Sequence, residues 1–132
     1  MHVDLEFSTF TYGDPTTPKR GLSRLKSGDL LVFYAVMEGW ECERAPALYL
    51  AGFFEVKVAA FAAELPSDTV RRDIAGNFHV RHHTLYASQK NRLVLVKGTQ
   101  KCRLFRRAWK LGGELCAAKT APCGSSYIRR WQ

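Results

Sequence analysis

Three stretches of this chain carry apolar residues at the spacing of β-strands. Leu30-Leu31-Val32-Phe33-Tyr34-Ala35 is a continuous apolar run launched from Ser27-Gly28-Asp29. Such a run behind a tight turn predicts a central, buried strand. From Ala47 to Ala60 the chain alternates through Leu48, Leu50 and Phe54, which predicts a second strand, with Gly52 placed for a bend or bulge. Leu93-Val94-Leu95-Val96, closed by Lys97-Gly98, predicts a third. Val3 to Tyr12 alternates less cleanly around Phe7, Phe10 and Tyr12 and reads as an irregular strand. It runs into Tyr12-Gly13-Asp14-Pro15, a turn, because Gly admits positive φ and Pro fixes its own.

Helical spacing is confined to short pieces. Leu22 to Leu25 fits one helical turn, and Ser67-Asp68 is placed to cap a helix from Thr69 to Ile74 that ends at Gly76-Asn77. Phe78 to Tyr86 alternates His, Arg and apolar residues and predicts extended chain. Thr99 to Leu111 places Leu104, Phe105, Ala108, Trp109 and Leu111 at helical intervals, with Gly112-Gly113 as the stop. Gly124 to Gln132 adds an edge strand through Tyr127 and Ile128. Together these predict an α+β fold, a strongly bent mixed β-sheet or small β-barrel with flanking short helices, in a single domain over residues 1–132.

Composition supports a packed domain: 46% of residues are hydrophobic and 12% aromatic, against the polar, aromatic-poor signature of disorder. No apolar run reaches the roughly 18 residues of a membrane-spanning helix. The start, Met-His-Val-Asp-Leu-Glu, lacks the basic and apolar stretches of a signal peptide, so a cytoplasmic location without membrane partners is expected. Cys42, Cys102, Cys116 and Cys123 form no CxxC pair and read as reduced thiols.

Charge changes the picture most. Residues 1–70 carry 6 Lys+Arg against 10 Asp+Glu, whereas residues 71–132 carry 14 against 2. The distal half is thus strongly basic and arginine-rich, which favours a polyanionic partner, nucleic acid first, because each phosphate neutralised releases counterions. A basic surface that serves solubility alone is the competing reading.

Three constellations carry candidate chemistry. On a loop, Tyr12 would offer a stacking face and Asp14 an acceptor for a base amino group, with His2 and Asp4 nearby; alternatively Asp14 caps a turn and Tyr12 packs in the core. In Asn77-Phe78-His79-Val80-Arg81-His82-His83, alternation puts His79, Arg81 and His83 on one side of a strand. That stripe would face phosphate or base, and without a third ligand in view no metal or cofactor is expected. On the helix from Thr99, Arg103, Arg106, Arg107 and Lys110 share one face, a like-charge arrangement that repels itself and is explained by a phosphate backbone. Trp109 beside them either stacks on a base or packs at the rim. No G-x-S-x-G elbow, P-loop, H-E-x-x-H or deaminase cysteine pattern is present.

The segment Leu25-Lys26-Ser27-Gly28-Asp29-Leu30-Leu31-Val32-Phe33-Tyr34, with Leu50-Ala51-Gly52-Phe53-Phe54-Glu55-Val56 after it, resembles the strand motifs of PUA-like domains of the EVE and YTH branches. A closer resemblance is to the nucleotide modification associated domain 3 family. It rests on His2-x-Asp4-x-x-Phe7, Thr11-Tyr12-Gly13-Asp14, the Gly-Asp strand, Asn77-x-His79 and Tyr127-Ile128. The resemblance implies work alongside systems that modify, restrict or read altered bases. The expectation is a nucleic-acid-binding module for DNA or RNA that reads a modified or flipped-out base. Tyr12, Asp14, Tyr34, Trp40 and His79 would form its base pocket, and Arg81, Arg103, Arg106, Arg107 and Lys110 would hold phosphates. Two alternatives stand beside it: an enzyme on nucleotides or modified bases using His79, Asp14 and His2 as acid/base groups, and a protein-interaction subunit of a modification system.

Overall fold

The computed structural model describes residues 5–37 and 46–114. These fall into two compact units, one of residues 5–31 and 54–103, the other of residues 32–37, 46–53 and 104–114.

The first unit is built on antiparallel pairing. Strand β1 (Leu5–Glu6) turns through residues 7–10 into β2 (Thr11–Asp14). β2 pairs with β5 (Val94–Gly98), and β5 pairs with the distal part of β4 (Ala47–Phe61), giving the order β1-β2-β5-β4. Every residue of β2 is buried, as are Val94, Leu95 and Val96, because these two strands are paired on both sides and covered. The residues expected to form an open turn at Tyr12-Gly13-Asp14 are therefore strand; the bend begins only at Pro15, where a 3-10 helix over Thr17–Arg24 follows. All pairings of this unit run antiparallel, so the mixed sheet expected from the sequence is not what forms here.

One core of the unit gathers Ala62, Ile74, Leu93 and Leu95, with Leu65, Val80 and Tyr86 packed on it. Elsewhere Phe54 lies fully buried, with the rings of Phe7 and Phe10 edge-on to it at 4.9 and 6.3 Å. Burial of large side chains at this density contributes about 2 kcal/mol each. The helical part starts at α1 (Ser67–Thr69) and continues as a π-helical turn over Val70–Ile74. The helix expected there exists, but Ser67 is inside it and Pro66 holds the cap position without a side-chain bond.

Two further helices, α2 (Phe78–Arg81) and α3 (His83–Gln89), replace the extended chain expected over Phe78–Tyr86. Asn77 explains the difference. Its side-chain oxygen accepts from the His79 backbone N–H at 3.0 Å, a helix N-cap that outweighs the period-two pattern after it. His82, at φ −94° and ψ 91°, separates the two helices.

In the second unit, β3 (Leu30–Met37) and β6 (Arg103–Glu114), both of which begin at the edge of the first unit, pair with β4. β3 ends the strand order and is not the central buried strand its apolar run predicts: Leu30 and Val32 are exposed, while Phe33 and Ala35 are buried. It is launched as expected, with Gly28 at φ +92° donating to Val56 O at 2.8 Å and Val56 N donating back to Asp29 O. A bulge falls at Lys57, where the register to β5 shifts between Val56 and Val58.

β6 is the largest departure, since Thr99 to Leu111 was expected to be helix. The helical spacing of its apolar residues is overridden by pairing with β4, which supplies backbone partners. A helix would also have stacked four cations on one face; in a strand, neighbours alternate sides. The strand continues through Gly112-Gly113, which therefore stop nothing. Residues 124–132, the expected edge strand, lie outside the described residues, as do His2, Asp4 and Trp40. No helix among the described residues is long and apolar enough to cross a membrane.

Candidate functional site

The two sequence motifs that stand 66 residues apart at Thr11 and Asn77 meet inside the first unit. Asn77 Nδ2 donates to Thr11 Oγ1 at 3.3 Å, and Thr11 Oγ1 is 2.8 Å from Thr9 Oγ1. Asn77 Oδ1, already holding the His79 N–H, sits where a Cβ on Gly13 would come to 2.9 Å, with His79 Cδ2 at 3.0 Å. Gly13 is thus required by the close passage of β2 under Asn77 and His79, and not by a turn. His79 is 1% exposed, and its Nδ1 lies 2.9 Å from Gln89 Oε1. That hydrogen bond ties the ring to α3.

Tyr12 and Asp14, two residues apart, form a separate buried cluster on the side of β2 opposite Thr11 and Gly13. The Tyr12 hydroxyl donates to Asp14 Oδ2 at 2.9 Å, while Asp14 Oδ1 accepts from the Thr16 N–H at 2.7 Å and from the Thr16 hydroxyl. Of the two readings open in the sequence, the geometry takes the second: Asp14 caps the entry to the 3-10 helix and Tyr12 packs in the core at 3% exposure. Neither offers a free edge or ring face to a base, which corrects their expected place on an open loop.

The remaining candidates are dispersed. Tyr34 is half-buried on β3 in the second unit. Arg81 is exposed at the end of α2, and the expected stripe with His79 and His83 does not form, because a helix and a break, not a strand, separate these residues. Arg103, Arg106, Arg107 and Lys110 are all exposed along β6, but a strand sets Arg103 and Arg107 on one side and Arg106 and Lys110 on the other; the shared helical face is absent. Trp109 is 67% exposed, with its ring 6.3 Å from that of Phe105, which in turn lies 6.2 Å from Phe53. Arg103 is tethered by its guanidinium to the carbonyls of Gln100 and Cys102. Among the described residues, Arg106, Arg107 and Lys110 have no carboxylate partner, and no group of three metal-ligating side chains occurs.

A family comparison covers most of the chain. The model of nucleotide modification associated domain 3 matches residues 1–123. The chain belongs to this family. No curated protein and no solved structure matches it. In this nucleotide modification associated domain the motif residues are joined by hydrogen bonds in the interior of the first unit, whereas the cationic side chains of β6 stand in solvent. Sequence reasoning missed Gln89 as the partner of His79. Asn77 directly before Phe-His-Val-Arg was the signal that a capped helix, and hence a buried His79, should follow.

Proposed function

We propose that this nucleotide modification associated domain is a nucleic-acid-binding module that serves a base-modification or restriction system in the cytoplasm, with residues 1–132 acting together in a PUA-like arrangement. The observation that carries the reading is β6: Arg103, Arg106, Arg107 and Lys110 alternate with exposed Leu104, Trp109 and Leu111, with no acidic residue between Arg103 and Gly113. Cations at four-residue steps on each side of an extended strand, interleaved with an open indole, suit a flexible single strand or an extruded nucleotide better than a rigid groove. Arginine forks hold phosphate oxygens, and the Trp109 face accepts a base of any sequence. Tyr34 and Trp40 are further stacking candidates in this reading. Tyr12, Asp14 and His79 hold the fold of the first unit, and Arg81 adds a separate positive charge on α2.

The test is a titration of the full chain with labelled single-stranded and duplex oligonucleotides, plain and base-modified, at increasing salt. Four phosphate contacts on a single strand imply about a fifty-fold loss of affinity between about 50 and about 200 mM salt. Single strands should bind more tightly than duplex, and base-modified strands more tightly than plain ones. Absence of binding at the lowest salt removes the proposal.

A further inference from the structure

A cleft of about 480 Å³ opens in the first unit. Its walls are the Ser8–Phe10 turn, Lys57 on β4, and the stretch from Lys97 to Gln100. Three departures from regular backbone geometry or side-chain placement meet there. Phe10 has φ +51°, a left-handed conformation that a bulky residue rarely adopts, and its carbonyl is held by the Gly98 N–H at 2.8 Å. Lys57 is the extra residue of the β-bulge, a device that re-aims a side chain out of the strand's alternation. Lys97 extends from the end of β5 with its stem half-buried and its ammonium donating to Thr9 O at 2.6 Å.

The charged side chains that line the cleft have one sign, although Asp73, outside the lining, already pairs with Lys57. Two ammonium groups line it and no carboxylate does. The neighbouring acids are engaged: Asp73 lies 3.4 Å from Lys57 and 3.2 Å from Arg72, and Glu55 lies 3.3 Å from Lys101 and 3.2 Å from the Thr99 hydroxyl. One bond to Thr9 leaves the Lys97 ammonium with two further protons to donate. Burial holds the Lys97 amine below the usual lysine range, so the charged form lacks compensation that an incoming anion would supply. The remaining lining is a phenyl ring with hydroxyl and carboxamide groups, and the volume is that of a small-molecule site.

We propose that this cleft binds one nucleotide as its phosphate monoester, the phosphate between Lys57 and Lys97 and the base against Phe10, with Thr99 and Gln100 at its edge. The site is distinct from β6 and goes beyond strand binding: it takes a mononucleotide or the phosphorylated end of a strand, which share that chemistry.

The experiment is calorimetric titration of the full chain with the common nucleoside 5′-monophosphates, the matching nucleosides, inorganic phosphate, and oligonucleotides with 5′-phosphate or 5′-hydroxyl ends. A monophosphate should bind about tenfold or more tightly than its nucleoside. Lys97→Met and Lys57→Met should each cost about tenfold. Lys57 is half-exposed, so its variant keeps the fold even if loss of the Lys97–Thr9 bond does not, and thermal melting of both variants checks this. A preference of the oligonucleotides for the 5′-phosphate assigns the strand end; a preference confined to mononucleotides assigns the free metabolite. Equal binding of monophosphate and nucleoside, no binding of either, or Lys57→Met without effect overturns the proposal, and inorganic phosphate binding as tightly as the nucleotide overturns its one-nucleotide size. Arg106→Gln with Arg107→Gln should weaken oligonucleotide binding and leave mononucleotide affinity within about twofold, so failure of the cleft and failure of β6 are read separately.

Discussion

The buried motif network, with its separate clusters around Asn77 and around Tyr12, and the cationic strand β6 are opposite uses of polar side chains. In the first, Thr11, Tyr12, Asp14, Asn77 and His79 are each less than a tenth exposed, and each bonds to a named neighbour. In the second, arginines and a lysine stand exposed, and three of the four lack any acidic partner among the described residues. Buried polar groups contribute to uniqueness of fold only when fully satisfied, and the network meets that condition. Exposed cations contribute little to stability and much to the attraction of polyanions. Here Thr11 and Asn77 hold two distant segments of the first unit together, while the cations of β6 stand in solvent.

The sharpest way to break this contrast is to add volume where the network has none. Gly13→Val should be the most damaging change, since even one Cβ would press on Asn77 Oδ1, His79 Cδ2 and a Leu95 methyl at 3.2 Å. A loss of about 3 kcal/mol or more is expected in chemical denaturation, and an unchanged midpoint would show that β2 is free to shift. Asn77→Ala comes next. It leaves Thr11 Oγ1 without its amide donor and the His79 N–H without an acceptor, at a cost of about 1–3 kcal/mol, with faster amide exchange over residues 78–81.

Arg106→Gln with Arg107→Gln sharpens the other side. Stability should stay within about 0.5 kcal/mol of the parent, while the salt dependence of single-strand binding should fall in slope by about 1.4, two phosphates' worth. A melting shift as large as that of Asn77→Ala would assign the arginines a structural role and dissolve the distinction. The smallest effect concerns Asp73, whose carboxyl is held below its usual 3.8 first by the Arg72 hydrogen bond and then by Lys57, against the opposing cost of desolvation. A depressed carboxyl contributes stability that is present above the unfolded-state value and lost as pH falls through the folded-state one. Removing it by Asp73→Asn should lower stability slightly at neutral pH and leave it unchanged at pH values where the carboxyl is already protonated, so that the acid limb of the stability profile flattens.

Much of the first unit was legible from residue pattern. Val94–Gly98 and Ala47–Phe61 are strands where the apolar alternation put them, and Gly28-Asp29 launches β3 as its turn chemistry requires. The helical turn after Ser67 was also legible, although its cap was not. What misled was period counting in short segments. Residues 78–86 alternate like a strand and fold as helices because Asn77 caps the first of them; residues 103–111 are spaced like a helix and fold as a strand because β4 offers pairing. The candidate site suffered most from this, since which cations share a side follows directly from the period. The Thr11–Asp14 motif was recognised as a unit, yet its burial could not be read from four residues, because the groups that cover it come from residues 74–95.

Composition and order along the chain determined the α+β class, the basic distal half and the family. These depend on residue identity and local spacing alone. Only the tertiary structure decided that Asn77 and His79 close over Gly13, that the arginines of β6 divide between two sides, and that Lys57 and Lys97 line one cleft. Each of those outcomes depends on strand register and on partners tens of residues away, and a shift of one residue in pairing turns every side chain to the opposite side.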